Sequence, residues 1–328
     1  MPRCLGVQGL QIVPADVIAA RQRIEGRVWP TPLMPEPGLA ERHGAPVRLK
    51  LECWQRTGSF KVRGAMNAIA VLGDAARRRG VLAVSAGNHA QGLALAAREA
   101  GISALIVMPR TASRVKVEAV RQLGAEVRLL GEDYDEAEAA WPAVAEETGR
   151  TLIHPFMDPA VIAGQGTVGL EIALEGPAPR HVLIPAGGGG LAVGAAVALK
   201  ALLPGVKVYG VQTEASAPLV ASYRAGRHVA VTYGPSIADG LHGDTTDEMV
   251  ELAVRHLDGV LEVSEAAVRR AMRYLFREQR IVAEGSGAVG VAALLEGLAP
   301  DGETAVVVSG RNVAPELFQS VMSEEAMA

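Results

Sequence analysis

Four consecutive glycines, Gly187, Gly188, Gly189 and Gly190, stand between a short apolar run at 181–185 and an apolar, helix-like run at 192–203. Ordering such a run costs chain entropy, so it persists where a backbone must approach something closely. A phosphate is the usual something, because unencumbered N–H groups at a helix N-terminus converge on its oxygens. The same grammar of strand, turn and helix recurs along the chain. Runs at 81–84, 104–108 and 126–130 read as strands, followed by helices over 91–100, 114–123 and 135–148. Runs at 206–211 and 304–308 complete the set. Short apolar strands alternating with helices predict an α/β fold with parallel sheets covered on both faces.

The 328 residues suffice for one large domain or two modest ones. Hydrophobic residues at 49% and charged residues at 21% exclude a disordered chain. Aromatic residues are only 4%, so alanine, valine and leucine carry the packing. A net charge of −4 gives no reason to expect nucleic acid or an anionic membrane as partner. The basic run Arg77, Arg78, Arg79 before Gly80 reads as a solvated helix end. The two cysteines, Cys4 and Cys53, lack CxxC spacing and predict neither a disulfide framework nor a metal site, which suits a reducing compartment. The run Met1 to Gly6 is not an apolar leader, and no stretch reaches the roughly 18 apolar residues of a membrane span. The expected location is the cytoplasm.

Lys61 lies in the run Ser59-Phe60-Lys61-Val62-Arg63-Gly64-Ala65. An arbitrary lysine is a solvated head on a buried stem. A lysine paired with a phosphate cradle instead matches the needs of a pyridoxal phosphate enzyme, one group forming a Schiff base and the other holding the cofactor's tail. The rival reading is a nucleotide site, since Gly187, Gly189 and Ala192 fit the loose G-x-G-x-x-A fingerprint. The strand that follows leads to Gln212 rather than an acid, although Glu214 is close.

Further motifs follow in order: Ser85-Ala86-Gly87-Asn88-His89-Ala90-Gln91-Gly92, His154-Pro155-Phe156, Gly164-Gln165-Gly166-Thr167, Ser236-Ile237-Ala238-Asp239-Gly240 and Ser309-Gly310-Arg311-Asn312. In this order and spacing the chain, from about Thr31 to Asn312, resembles the threonine/serine dehydratase and serine racemase family of fold type II pyridoxal phosphate enzymes. The resemblance implies a tryptophan synthase β-like fold: two parallel-sheet, three-layer αβα domains with the active site between them. It places a large cofactor-binding domain at 1–53 plus 150–328 and a small inserted domain at 54–149. The cofactor implied is pyridoxal 5'-phosphate, and the activity is α,β-elimination from a 3-hydroxy amino acid, L-threonine or L-serine by default. Hydroxyaspartate, phenylserine, racemisation and β-replacement are the alternatives. A homo-oligomer, dimer or tetramer, is expected, and the small-molecule substrate is the only other partner.

Roles follow by resemblance. Lys61 is the Schiff-base residue and then the base that removes the Cα proton. Phe60 packs on the pyridine ring, and the cofactor's phosphate protonates the leaving hydroxyl. Gly187 to Gly190 bind that phosphate, Asn88 contacts the phenolic oxygen, and Ser309 lies beside the ring nitrogen. A serine hydroxyl there donates to a neutral nitrogen, which favours prompt elimination over a long-lived carbanion. Ser85, Ala86, Gly87, Asn88, His89 and Gly240 hold the substrate, the turn offering the donors a carboxylate needs. A turn that merely caps the next helix is the bland alternative. His154 and Asp158 read as scaffold, and His89, Asp239 and His242 carry no triad or metal spacing.

Three differences from the family pattern matter, at four positions. Ala86 replaces the second serine of racemases, so racemisation is expected to be weak. Gln212 and Pro218 replace acids of the family's divalent-cation site and are poor hard-cation ligands, so no tight Mg²⁺ or Ca²⁺ site is expected there. Arg311 replaces a glycine; it either points to solvent, or adds positive charge near the cofactor or selects a substrate with a distal polar group. The chain ends soon after Asn312, which speaks against an appended regulatory domain.

Overall fold

The computed structural model describes residues 10–324. Cys4 and the run Met1 to Gly6 lie outside the described residues. Strands β1 (Leu33–Pro35) and β2 (Val47–Lys50) open the chain. Then come β3 (Val81–Val84), β4 (Ala104–Met108), β5 (Glu126–Leu129) and β6 (Thr151–Leu152). The last four are β7 (His181–Pro185), β8 (Lys207–Thr213), β9 (Gly259–Val263) and β10 (Thr304–Val307). They form a six-stranded sheet in the order β1-β2-β10-β7-β8-β9 and a four-stranded sheet in the order β5-β4-β3-β6.

All pairings of these strands are parallel except that of β1 with β2. The parallel strands β3, β4, β7 and β10 are buried along their whole length, as continuous apolar runs demand when helices cover both faces. β1 is short and closes on Pro35, which suits an edge. The small sheet is inserted between β2 and β7, and β6 lies just past the boundary expected at 149.

Helices Pro159–Leu174 and Gly190–Leu202 pack on one face of the large sheet, and Glu265–Gln279 and Gly285–Leu295 on the other. A further apolar cluster joins helices Lys61–Ala70 and Asn88–Glu99 to β3 and β4. Helix Lys61–Ala70 also packs along Pro159–Leu174, so it is held from both sides. The expected helix over 135–148 is instead two, Tyr134–Ala139 and Trp141–Thr148. Pro142 explains the break: it has no N–H for a continuing ladder but is accommodated in a first turn. Among the described residues no helix is long and apolar enough to cross a membrane.

Candidate active site

Ser85 follows β3, the glycine loop follows β7 and Ser309 follows β10, so three strand C-termini from two sheets converge. Open α/β sheets place ligand sites at such carboxyl ends. Between them lies a cavity of about 440 Å³. Every residue expected at the site lines it: Phe60, Lys61, Ser85, Ala86, Gly87, Asn88, His89, the four glycines 187–190, Gly240 and Ser309.

Lys61 opens helix Lys61–Ala70. The segment leading to it is clamped to the loop after β10: Ser59 pairs antiparallel with Gly310, and Phe60 N donates to Ser309 O at 3.1 Å. Lys61 Nζ donates to Pro155 O at 3.1 Å and lies 5.3 Å from the Phe60 ring centroid. Burial pulls this ammonium down to about 8, with Glu284 opposing the shift. The amine is therefore easier to deprotonate than an ordinary lysine, whose value is near about 10.4.

The glycine loop turns through Gly189, whose φ of 99° lies in the left-handed region, and runs into the N-terminus of helix Gly190–Leu202. A Cβ at Gly188 would meet the Phe156 ring at 2.6 Å. The protein itself thus requires glycine there, beside any demand from a ligand. His154 Nδ1 accepts from Phe156 N and Met157 N at 3.3 and 3.0 Å, which holds that ring in place. Asp158 caps helix Pro159–Leu174 through Ala160 N and Val161 N. Both residues are engaged in scaffolding bonds.

In the turn after β3, Ser85 Oγ accepts from Gly87 N at 3.2 Å and Ala90 N at 3.3 Å, leaving its own O–H free to donate. His89 Nε2 bonds Ile153 O at 2.9 Å, and burial, then the nearby Lys61, pulls the ring down to about 3. It is a neutral ring at physiological pH. Ala86 presents only a methyl group to the cavity.

Several lining residues were not legible in the sequence. Glu284 is 4% exposed, at the head of helix Gly285–Leu295, and donates its N–H to Gly310 O at 3.1 Å. Burial, followed by repulsion from Asp239, pushes its carboxyl up to about 7. Ser286 Oγ accepts from Gly240 N at 2.8 Å, and Asn312 completes this wall. The mouth carries Lys116, Asp135, Glu138, Asp239 and Asp244, with Lys116 Nζ bonded to Asp239 Oδ2 at 2.9 Å. Beside Asn312, which closes the Ser309-Gly310-Arg311-Asn312 motif, the run Ala283-Glu284-Gly285-Ser286-Gly287 is the sequence signal that marks this wall.

Two of the departures from the family pattern resolve in the structure. Arg311 is exposed, lies outside the cavity lining and is anchored through its backbone, its N–H donating to Gly58 O at 2.9 Å and its carbonyl accepting from Val313 N at 2.8 Å, so the solvent-facing alternative holds. Gln212 is fully buried behind the glycine loop; its Nε2 donates to Gly187 O at 3.2 Å and its Oε1 accepts from Val220 N at 3.0 Å. Pro218 opens helix Pro218–Ala225. Buried Cys53 is pushed up to about 12 by burial and then by Glu52, and is inert as a thiol.

The donor set fits pyridoxal phosphate on chemical grounds. A desolvated amine faces an anion cradle at a helix N-terminus, and Ser309 Oγ, 3% exposed, has only a long 3.5 Å contact to Ser286 O. Residues 24–310 match the family described as pyridoxal-phosphate dependent enzyme. The chain is 45% identical over 314 residues to an L-threonine ammonia-lyase of Thermotoga maritima, covering 94% of this chain and 78% of that one. The structure of maize serine racemase superposes with a TM-score of 0.90 at 34% identity, over 94% of this chain and 96% of that one. A processed threonine deaminase, isoform 2 from Solanum lycopersicum, gives 0.87 at 33% identity, over 94% of this chain and 90% of that one.

Proposed function

This chain belongs to the family of pyridoxal-phosphate dependent enzymes, and from that premise we propose that it is a dehydratase converting L-threonine or L-serine to a 2-oxo acid and ammonia. The observation that carries the reading is the convergence of the Lys61 amine, the glycine loop and the Ser85–His89 turn on the same cavity. Bound pyridoxal phosphate supplies the electron sink that makes a substrate Cα proton acidic.

Lys61 Nζ would hold the cofactor covalently and, as a free amine, would take the substrate's Cα proton at that nitrogen. N–H groups of Gly187 to Gly190 would hold the phosphate, and the Ser309 hydroxyl would donate to the ring nitrogen. The free Ser85 O–H and the helix N-terminus at Asn88 hold the substrate carboxylate. The β-hydroxyl leaves as water, and the enamine released hydrolyses in solvent to the 2-oxo acid and ammonia.

The lining also speaks to the substrate's side chain. Asp135, Glu138, Asp239, Asp244 and Glu284 face two lysines, Lys61 and Lys116, and Arg311 stands outside. A second carboxylate, as in hydroxyaspartate, meets net repulsion, which supports a neutral side chain. Ala86 leaves no proton donor at its position, which supports elimination over racemisation. A cytoplasmic homo-oligomer is part of this reading.

The test is 2-oxo acid and ammonia release from a panel of L- and D-3-hydroxy amino acids by protein loaded with pyridoxal phosphate. Release from L-threonine and L-serine, abolished in Lys61→Ala, is expected. No release from any member overturns the proposal, and interconversion of serine enantiomers without 2-oxo acid moves the chain to the racemases.

A further inference from the structure

Asn88 has both ends of its side-chain amide committed to protein. Its Oδ1 accepts from Asn312 Nδ2 at 2.6 Å, and its Nδ2 donates to Glu284 Oε1 at 2.7 Å. Asn312 Nδ2 in turn donates to Thr57 O at 2.7 Å. A backbone carbonyl only accepts, so the Asn312 amide has one orientation. Asn312 Nδ2 only donates, so the Asn88 atom it meets is the oxygen and Asn88 has one orientation too. The chain from Thr57 through Asn312 and Asn88 to Glu284 therefore runs one way, anchored by an acceptor at each end. Thr57 is held with φ at 60°, a conformation non-glycine residues rarely adopt and that recurs where surrounding structure over-determines a site.

We propose that Glu284 is a positioning residue: by terminating this one-way chain it leaves Asn88 a single free N–H, so that Asn88 would present only a donor to a cofactor held in the cavity it shares with Lys61. The inference rests on the functional reading above. Without Glu284 the amide is held at its oxygen end alone, through Asn312, and its Nδ2 is no longer fixed in direction. Glu284 is also the buried countercharge that opposes the fall of Lys61, and its other charged neighbours are Asp239 and Lys116.

The test uses Glu284→Gln, which keeps shape and an acceptor oxygen but removes the charge. Its partner is Asn312→Ala, which cuts the chain while leaving Glu284 intact. Each is loaded with pyridoxal phosphate and read by absorbance of the lysine-bound cofactor at fixed pH, cofactor Kd, Tm, and kcat against KM. Both variants are expected to redistribute the visible and near-ultraviolet bands, to weaken cofactor binding about tenfold, as loss of one oriented hydrogen bond implies, and to lower kcat more than they raise KM. A lowered Tm with wild-type bands and Kd in both overturns the proposal, making the chain merely structural. A spectral change in Glu284→Gln with none in Asn312→Ala also overturns it, because the charge then acts without the chain. Wild-type protein that shows no lysine-bound cofactor band fails the functional reading itself, which is distinguishable from both.

Discussion

Replacing Arg63 with methionine tests whether the lysine-bearing helix is held by a buried ion network. Arg63 is 0% exposed, two residues past Lys61. Its Nε and NH2 donate to Glu52 at 2.8 Å each, and its NH1 and NH2 donate to Glu171 at 2.6 and 2.8 Å. Burial works against its charge, but Glu52 and then Glu171 outweigh it and hold the proton more tightly than usual. Glu171 has a second cation, Lys50 Nζ at 2.8 Å, whereas Glu52, 0% exposed, has no other cation among the described residues. The Arg63→Met variant therefore strands Glu52 alone. Breaking a buried pair by removing one partner costs about 3–5 kcal/mol, against a total stability on the order of 5–15. The assay is urea unfolding followed by tryptophan fluorescence, comparing Arg63→Met with the double variant Arg63→Met/Glu52→Leu. The double variant is expected to recover at least half of the loss, because the uncompensated charge has gone. A single variant within about 1 kcal/mol of the parent, or a double variant no better than the single, refutes the reasoning.

Three further outcomes are expected. Gly188→Ala drives a methyl into the Phe156 ring and should cost about 1–3 kcal/mol and weaken pyridoxal phosphate binding, read by Tm and cofactor titration. Burial, then Lys61, pulls His89 to about 3 and His154 to about 4 from 6.5, so the folded cofactor-free protein binds fewer protons than the unfolded chain in the window between. These two rings should therefore lose stabilisation as pH falls below about 6.5, while Glu284, raised to about 7, works in the opposite sense. The readout is the difference: His89→Gln should lose less stability than the parent between pH 6.5 and about 4 in urea titrations at stepped pH. Lys116→Met removes a bridge to Asp239 whose side chains are 37% and 60% exposed, so stability should change by less than about 1 kcal/mol in the same assay.

The fold's parallel framework was legible because β3 and β4 are uninterrupted apolar runs and β7 and β10 are apolar after their first residues, His181 and Thr304. β1 was not, since three residues ending in proline carry no period. The break at Ala140 turned on Pro142, which an acidic helix pattern masks. At the site, Lys61, the glycine loop and the Ser85–His89 turn announced themselves through residue types with special chemistry. Glu284 did not, because its position against Asn88 comes from a contact 196 residues away in sequence. The Lys50, Glu52, Arg63 and Glu171 network was invisible for a related reason: charged side chains read as surface, and only tertiary pairing makes their burial tolerable.

The position of β10 between β2 and β7 carries a consequence for biosynthesis. Val47 pairs with Thr304, so the middle of the large sheet waits for a strand that leaves the ribosome more than two hundred residues after its neighbour. Until then β2 and β7 each show an unpaired edge, a template for other chains. Nascent chains stalled before residue 304 should therefore depend on holding chaperones, while the small sheet, already complete by Leu152, is free to fold as translation proceeds.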